Sequence, residues 1–180
     1  MKKIMFNDKY CLTQAVLTGD KTMTRRLLKD NVPLGNWEET AKHLPYKVGE
    51  VVAIAQRYAE IPWNCFPNAP FSLDAFIEHA GYKNKMFVKA DLMPHHIKIT
   101  DVKVERLQDI SDEDILREGV WQFYDNKKVF HICKNTRETT STICFLSARE
   151  AFEYLIDKVS GKGTWDSNPL VVAYSFKLLD

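Results

Sequence analysis

Nothing in the 180 residues approaches the run of about 20 consecutive apolar positions that a membrane-crossing helix needs. The N-terminal Met1-Lys2-Lys3-Ile4-Met5-Phe6-Asn7-Asp8 starts basic but reaches a charge before any long apolar run, so neither a signal peptide nor a membrane span is supported. The expectation is a soluble, cytoplasmic protein with no membrane partner. An excess of charge of one sign is also lacking: the formal net charge is +1, which excludes coating nucleic acid by bulk charge and leaves only a focused basic pocket. Cysteine is sparse. Cys11, Cys65, Cys133 and Cys144 are scattered with no Cys-x-x-Cys pair, which argues against a disulfide framework or a zinc ribbon and predicts buried, reduced thiols. The His-x-Glu and Pro-Cys-x-x-Cys ligand pattern of zinc deaminases is missing, His131-x-Cys133 stands by itself, and His95-His96 has no third ligand nearby. No metal and no cofactor are therefore expected.

What is present, 45% apolar and 27% charged residues without repeats, suits one globular domain over residues 1–180. A short helix is predicted to begin near Asp8, to carry Cys11, Leu12, Ala15 and Val16 on one face, and to stop at Gly19. A strand should follow over 21–26. Pro33, Gly35 and Pro45 mark residues 31–47 as a connecting loop, and Tyr46-Lys47-Val48-Gly49-Glu50 as a turn into a buried strand over 51–55. Between about 58 and 90, Pro62, Pro67 and Pro70 with Trp63, Phe66 and Phe71 indicate an insertion holding a short helix over 73–79.

The stretch 97–104 reads as an alternation of apolar and polar residues, the strongest strand signal in the chain. Ser111 with Asp114, and Gly119 as terminator, bound a helix near 112–118. A hairpin over 121–133 and a polar loop over 134–142 come next. Ser147-x-x-Glu150 then opens a helix burying Ala151, Phe152, Leu155, Ile156 and Val159, and an apolar strand over 170–176 closes the chain. Short helices among strands, without a βαβ rhythm, indicate an α+β fold built around a small antiparallel barrel.

Four segments resemble the ASCH family, within the PUA-like superfamily, and in particular its larger phage-associated and bacterial members. They are 17–26, with Gly19-Asp20-Lys21-Thr22; 46–52; Met93-Pro94 with 102–114 and Glu118-Gly119; and Trp165-x-x-Asn168-Pro169 with Val171 and Phe176. The resemblance implies a PUA-like β-barrel with flanking helices and a helical insertion. It also implies a cleft that accepts RNA or a modified nucleoside or nucleotide. A small bacterial member of the family hydrolyses the acyl amide of acetylated cytidine with lysine, threonine and glutamate, which match Lys21, Thr24 and Glu118 here. Thr22, Arg25, Arg26 and Trp121 join Lys21 as candidate ligand-binding residues.

The chemistry of these positions leaves alternatives open. Thr24 is a weak nucleophile unless a base takes its proton; burial and the neighbouring Arg25 and Arg26 would lower the Lys21 pKa, whereas a close Glu118 would raise it, so either Lys21 or Glu118 can be the base. Residues 21 and 24 would face opposite ways in one regular strand, so Lys21 should lie in the turn after Gly19. Glu118 ends a helix where the dipole disfavours a carboxylate, and either a functional partner or a plain surface salt bridge would offset that. Arg25 and Arg26 suit a phosphate, or simply a charged strand edge. Trp121 and Tyr124 can stack on a base, or fill a core. Three functions follow: an RNA- or nucleoside-binding module, a metal-independent amidohydrolase acting on an acylated nucleoside, and a phage-derived accessory protein without a small-molecule site.

Overall fold

A computed structural model describes residues 1–66, 72–136 and 138–179. Pro67, Pro70 and Phe71, which helped to mark the insertion, lie outside the described residues. In chain order the elements are β1 (Lys2–Ile4), α1 (Leu12–Leu17), β2 (Met23–Leu27), α2 (Trp37–His43), β3 (Val51–Ile54), α3 (Leu73–Glu78), β4 (His96–Arg106), α4 (Asp112–Arg117), β5 (Trp121–Gln122), β6 (Phe130–Asn135), β7 (Thr140–Phe145), α5 (Ala148–Ser160), α6 (Thr164–Ser167) and β8 (Leu170–Leu178). The fold is mixed α+β. No helix is long and apolar enough to cross a membrane among the described residues.

The expected closed antiparallel barrel is replaced by two separate sheets. The larger runs β1-β3-β4-β8-β2 and is open among the described residues, because β1 and β2 form opposite edges. Its β1–β3 pair is parallel, and the other pairs are antiparallel. The smaller sheet is β5-β6-β7. β8 lies inside the larger sheet, between β4 and β2, and Val171 through Phe176 are buried along it. That continuous run reads as a strand covered on both faces, and each large side chain contributes roughly 1.5–3 kcal/mol of burial. Beside it, β4 does not alternate without a break. A bulge between Ile99 and Asp101 adds one residue, which keeps Ile97, Ile99 and Val102 buried together despite the slipped phase.

The capping signals give the helices. Ser111 Oγ accepts from the Asp114 N–H at 3.2 Å, and Ser147 Oγ from the Glu150 N–H at 3.1 Å. Ala148, Ala151, Phe152, Leu155 and Ile156 then form the buried stripe of α5 at the spacing of one helical face. Residues 58–90 contain α3 and several 3-10 turns, gathered around Tyr58, which stacks on Phe76 at 4.3 Å between ring centroids.

Several expectations are corrected. Residues 31–47 are not only loop: Asn36 Oδ1 accepts from the Glu38 N–H at 2.8 Å and starts α2. The 134–142 loop is largely strand, since β7 pairs with β6 from Asn135↔Thr140 to Phe130↔Phe145; Arg137 at the turn lies outside the described residues. Cys11 and Cys133 are joined in a disulfide, with Cα atoms 5.8 Å apart. Of the remaining cysteines Cys65 is half-buried and Cys144 exposed, so the picture of four buried thiols fails. The bridge escaped the sequence because only the packing of β6 against the turn at 8–10 brings residues 122 positions apart together.

Candidate ligand-binding site

The edge strand β2 begins in a tied-down turn. Gly19 adopts a φ of +81°, the Lys21 N–H donates to the Ala15 carbonyl at 2.8 Å, and the Thr22 N–H donates to the Arg117 carbonyl at 3.0 Å. Lys21 therefore precedes β2, as the spacing to Thr24 requires, and the turn is fastened to the end of α4. Gly119 follows α4 with a φ of +98°. A Cβ there would press on Leu12 Cδ2 at 3.0 Å and meet Lys21 Cδ at an ordinary contact distance of 3.6 Å, so the lysine stem packs directly against residue 119.

This arrangement buries four chemistry-bearing side chains together: Lys21 is 2%, Thr24 5%, Arg25 5% and Glu118 5% exposed. The Lys21 amine donates to Glu118 Oε2 at 2.7 Å and to the Glu118 carbonyl at 2.6 Å. Arg25 Nη1 donates to Glu118 Oε1 at 3.1 Å, so both carboxylate oxygens are held by cations. A surface salt bridge at Glu118 is thereby replaced by a buried one. Burial is the largest influence on Lys21 and pulls its pKa below the ordinary value; the Glu118 carboxylate opposes this and Arg25 and Arg26 add to it.

Arg25 extends the network. Its Nη2 donates to Glu105 Oε1 at 2.6 Å and to Asp114 Oδ2 at 3.1 Å, and Lys103 and Arg117 also hold Asp114, each at 3.1 Å. Glu105 and Asp114 were not among the expected site residues. Their signal was ambiguous, since Glu105 sits on a strand that ends polar and Asp114 reads as part of a helix cap. Burial opposes ionisation of Asp114, but the hydrogen bonds from Lys103 and Arg25 outweigh it and hold the carboxyl below its ordinary value of 3.8. The folded state then binds a proton at Asp114 less readily than the unfolded state. This contribution to stability is complete at neutral pH and is lost as pH falls below 3.8 through the depressed folded value. Urea unfolding from pH 6 to about pH 2 should therefore show a weaker acid dependence in Asp114→Asn than in the parent protein.

A cavity of about 470 Å³ opens beside this network, between the β2 edge, residues 5–7 and α5. Lys21, Thr24, Arg25, Arg26 and Glu118 line it, with Phe152, Leu155 and Ile156 as its apolar wall. The Thr24 hydroxyl makes no hydrogen bond among the described residues. Arg26 is exposed; it donates to the Met5 carbonyl and lies 5.9 Å from the centre of the Phe6 ring. Of the other expected ligand residues, Thr22 accepts from Arg117 Nε at 3.2 Å and does not line this cavity, and Trp121 lies on β5 against a different one. Tyr124 is almost fully exposed. No group of three or more His, Cys, Asp or Glu side chains is arranged to hold a metal ion among the described residues.

No family model and no curated protein matches the chain. Two solved structures are similar to it. One is an ASCH domain from Lactobacillus crispatus, with a TM-score of 0.38 and 13% identity over 96% of this chain and 75% of that one. The other is a protein of the DUF984 family from Enterococcus faecalis, with a TM-score of 0.38 and 14% identity over 94% of this chain and 67% of that one.

Proposed function

We propose that this is an ASCH-type protein, its open sheet a variant of the PUA-like barrel, and that the cavity beside β2 receives a nucleoside or nucleotide of RNA. The observation that carries the reading is the meeting of Lys21, Thr24, Arg25 and Glu118 around one solvent-reached hollow of about 470 Å³, a volume suited to a small ligand. The roles differ by side chain. Arg25 is committed to three carboxylates and positions Glu118. Lys21 uses two of its three N–H donors on Glu118, leaving one for a ligand oxygen. Thr24 offers an unbonded hydroxyl, exposed Arg26 offers a guanidinium to phosphate at the rim, and the α5 wall accepts an apolar ring edge.

A short single-stranded RNA titrated at several salt concentrations tests this. Binding should weaken with salt, and Arg26→Ala should reduce the slope of log K against log salt by about one. No binding of RNA or nucleoside at low salt would overturn the reading.

A second reading, amide hydrolysis of an acylated nucleoside such as acetylated cytidine, is favoured by one feature: a buried amine with a lowered pKa shares the cavity with an unbonded threonine hydroxyl. In this reading a base takes the Thr24 proton, Oγ attacks the acyl carbon, and the nucleoside amine leaves with that proton. Water then releases the acyl group from Thr24. The Thr24 hydroxyl bonds to neither Lys21 nor Glu118 among the described residues, so substrate would have to draw the groups together, which ranks this reading second. Release of cytidine from acetylated cytidine, lost in a folded Thr24→Ala variant, is the outcome that would promote it.

A further inference from the structure

We propose that a second cavity, separate from the one beside β2, is a subsite for an uncharged nucleobase-like heterocycle. It holds about 570 Å³ and lies between the start of α1, residues 56–60 and the smaller sheet. The idea rests on the reading of the protein as an RNA or nucleoside binder and extends it to a second contact. Asn7 and Leu12 line the first cavity, and Asp8, Cys11 and Thr13 the second, so one short segment separates the two.

Two unsatisfied polar atoms point to a ligand. Gln56 is 8% exposed, yet its Oε1 is buried without a hydrogen-bond partner, and its side-chain amide bonds to nothing among the described residues. The neighbouring Arg57 Nε is likewise buried and unpaired. Both residues line the cavity. A buried amide left unsatisfied costs free energy, and a ligand that completes it recovers that cost on binding. Together they offer an acceptor and a donor, the complement of a base edge that presents a ring or exocyclic N–H next to a carbonyl or ring nitrogen.

The rest of the lining fits an uncharged ligand. Gln14, Asn135 and Thr140 contribute neutral amides and a hydroxyl. The carboxylates are already engaged, Asp8 by Lys85 at 2.6 Å and Glu60 by Arg57. Trp121, 38% exposed on β5, supplies an aromatic ring at the cavity wall for stacking. The tryptophan expected from the sequence to stack on a base thus stands at this second cavity.

Titration of uridine and adenosine, followed by NMR of the Gln56 side-chain amide and the Trp121 indole N–H, tests the proposal, with ribose 5-phosphate as a probe that lacks a base. Saturable shifts at both groups with a nucleoside, and none with ribose 5-phosphate, are expected. Gln56→Met should weaken the interaction at least about tenfold while leaving Tm without ligand unchanged or higher, because it removes an unsatisfied amide. Shifts confined to Thr24 and Arg26 would overturn this proposal and leave the first cavity's reading standing; shifts confined to Gln56 and Trp121 would do the reverse. A Gln56→Met variant with lowered Tm and undiminished nucleoside binding would also overturn it.

Discussion

Glu118→Gln is expected to destabilise the protein by about 3–5 kcal/mol, the cost of removing one partner from a buried ion pair and leaving the other uncompensated. The expectation follows from burial. Lys21 is 2% exposed, and its amine has two partners, the Glu118 carboxylate and carbonyl. With the carboxylate neutralised, only the influences that lower the Lys21 pKa remain: burial first, then Arg26 and Arg25. Between the lowered folded value and 10.5, the unfolded state binds more protons than the folded one, so stability rises with pH in that window. The deficit of Glu118→Gln should therefore shrink as pH is raised towards 10. Lys21→Met combined with Glu118→Gln should be more stable than Glu118→Gln alone, because the stranded cation is gone. Urea unfolding of the parent, the single variants Glu118→Gln and Lys21→Met, and the double variant at pH 7 and pH 10 measures both effects, and equal stabilities throughout would show that the pair is not coupled.

Reducing the Cys11–Cys133 bridge, or replacing Cys133 by serine, should cost about 2–5 kcal/mol. The bridge closes a segment of 122 residues, and long closed loops restrict the unfolded chain most. It also fastens the smaller sheet to the start of α1, which the larger sheet holds through β2 and the turn at Lys21. Untreated protein should react at two thiols, Cys65 and Cys144, and reduced protein at four, with a fall in Tm on reduction. Reaction at all four before reduction, with no change in Tm, would remove the bridge from the account.

The contrast between these two features shows what the sequence could reveal. Local physics was legible. The Ser111 and Ser147 caps, the stripe on α5, the apolar run of β8 and the position of Lys21 in a turn all depend on neighbours within a few residues. Lys21, Thr24 and Glu118, which the motif resemblance groups, line one cavity. What escaped depends on distant partners. β1 is a three-residue edge that pairs in parallel with β3, and a strand that short leaves no period to read. β7 is rich in threonine and serine, so it looked like a polar loop although its β-branched residues favour extended backbone. Glu105 and Asp114 gain their roles only when Arg25 reaches across from β2, and Trp121 is placed by a hairpin that carries it to another cavity.

The central claim is that the hollow lined by Lys21, Thr24 and Glu118 takes up a nucleoside or nucleotide, and the most direct test is backbone and side-chain NMR of the protein titrated with cytidine 5'-monophosphate. The account predicts saturable shifts of Thr24, Arg26 and the α5 residues facing the cavity, abolished when Thr24 is replaced by tyrosine to fill it. An unchanged spectrum up to millimolar ligand, or shifts that persist undiminished in the filled variant, would contradict it.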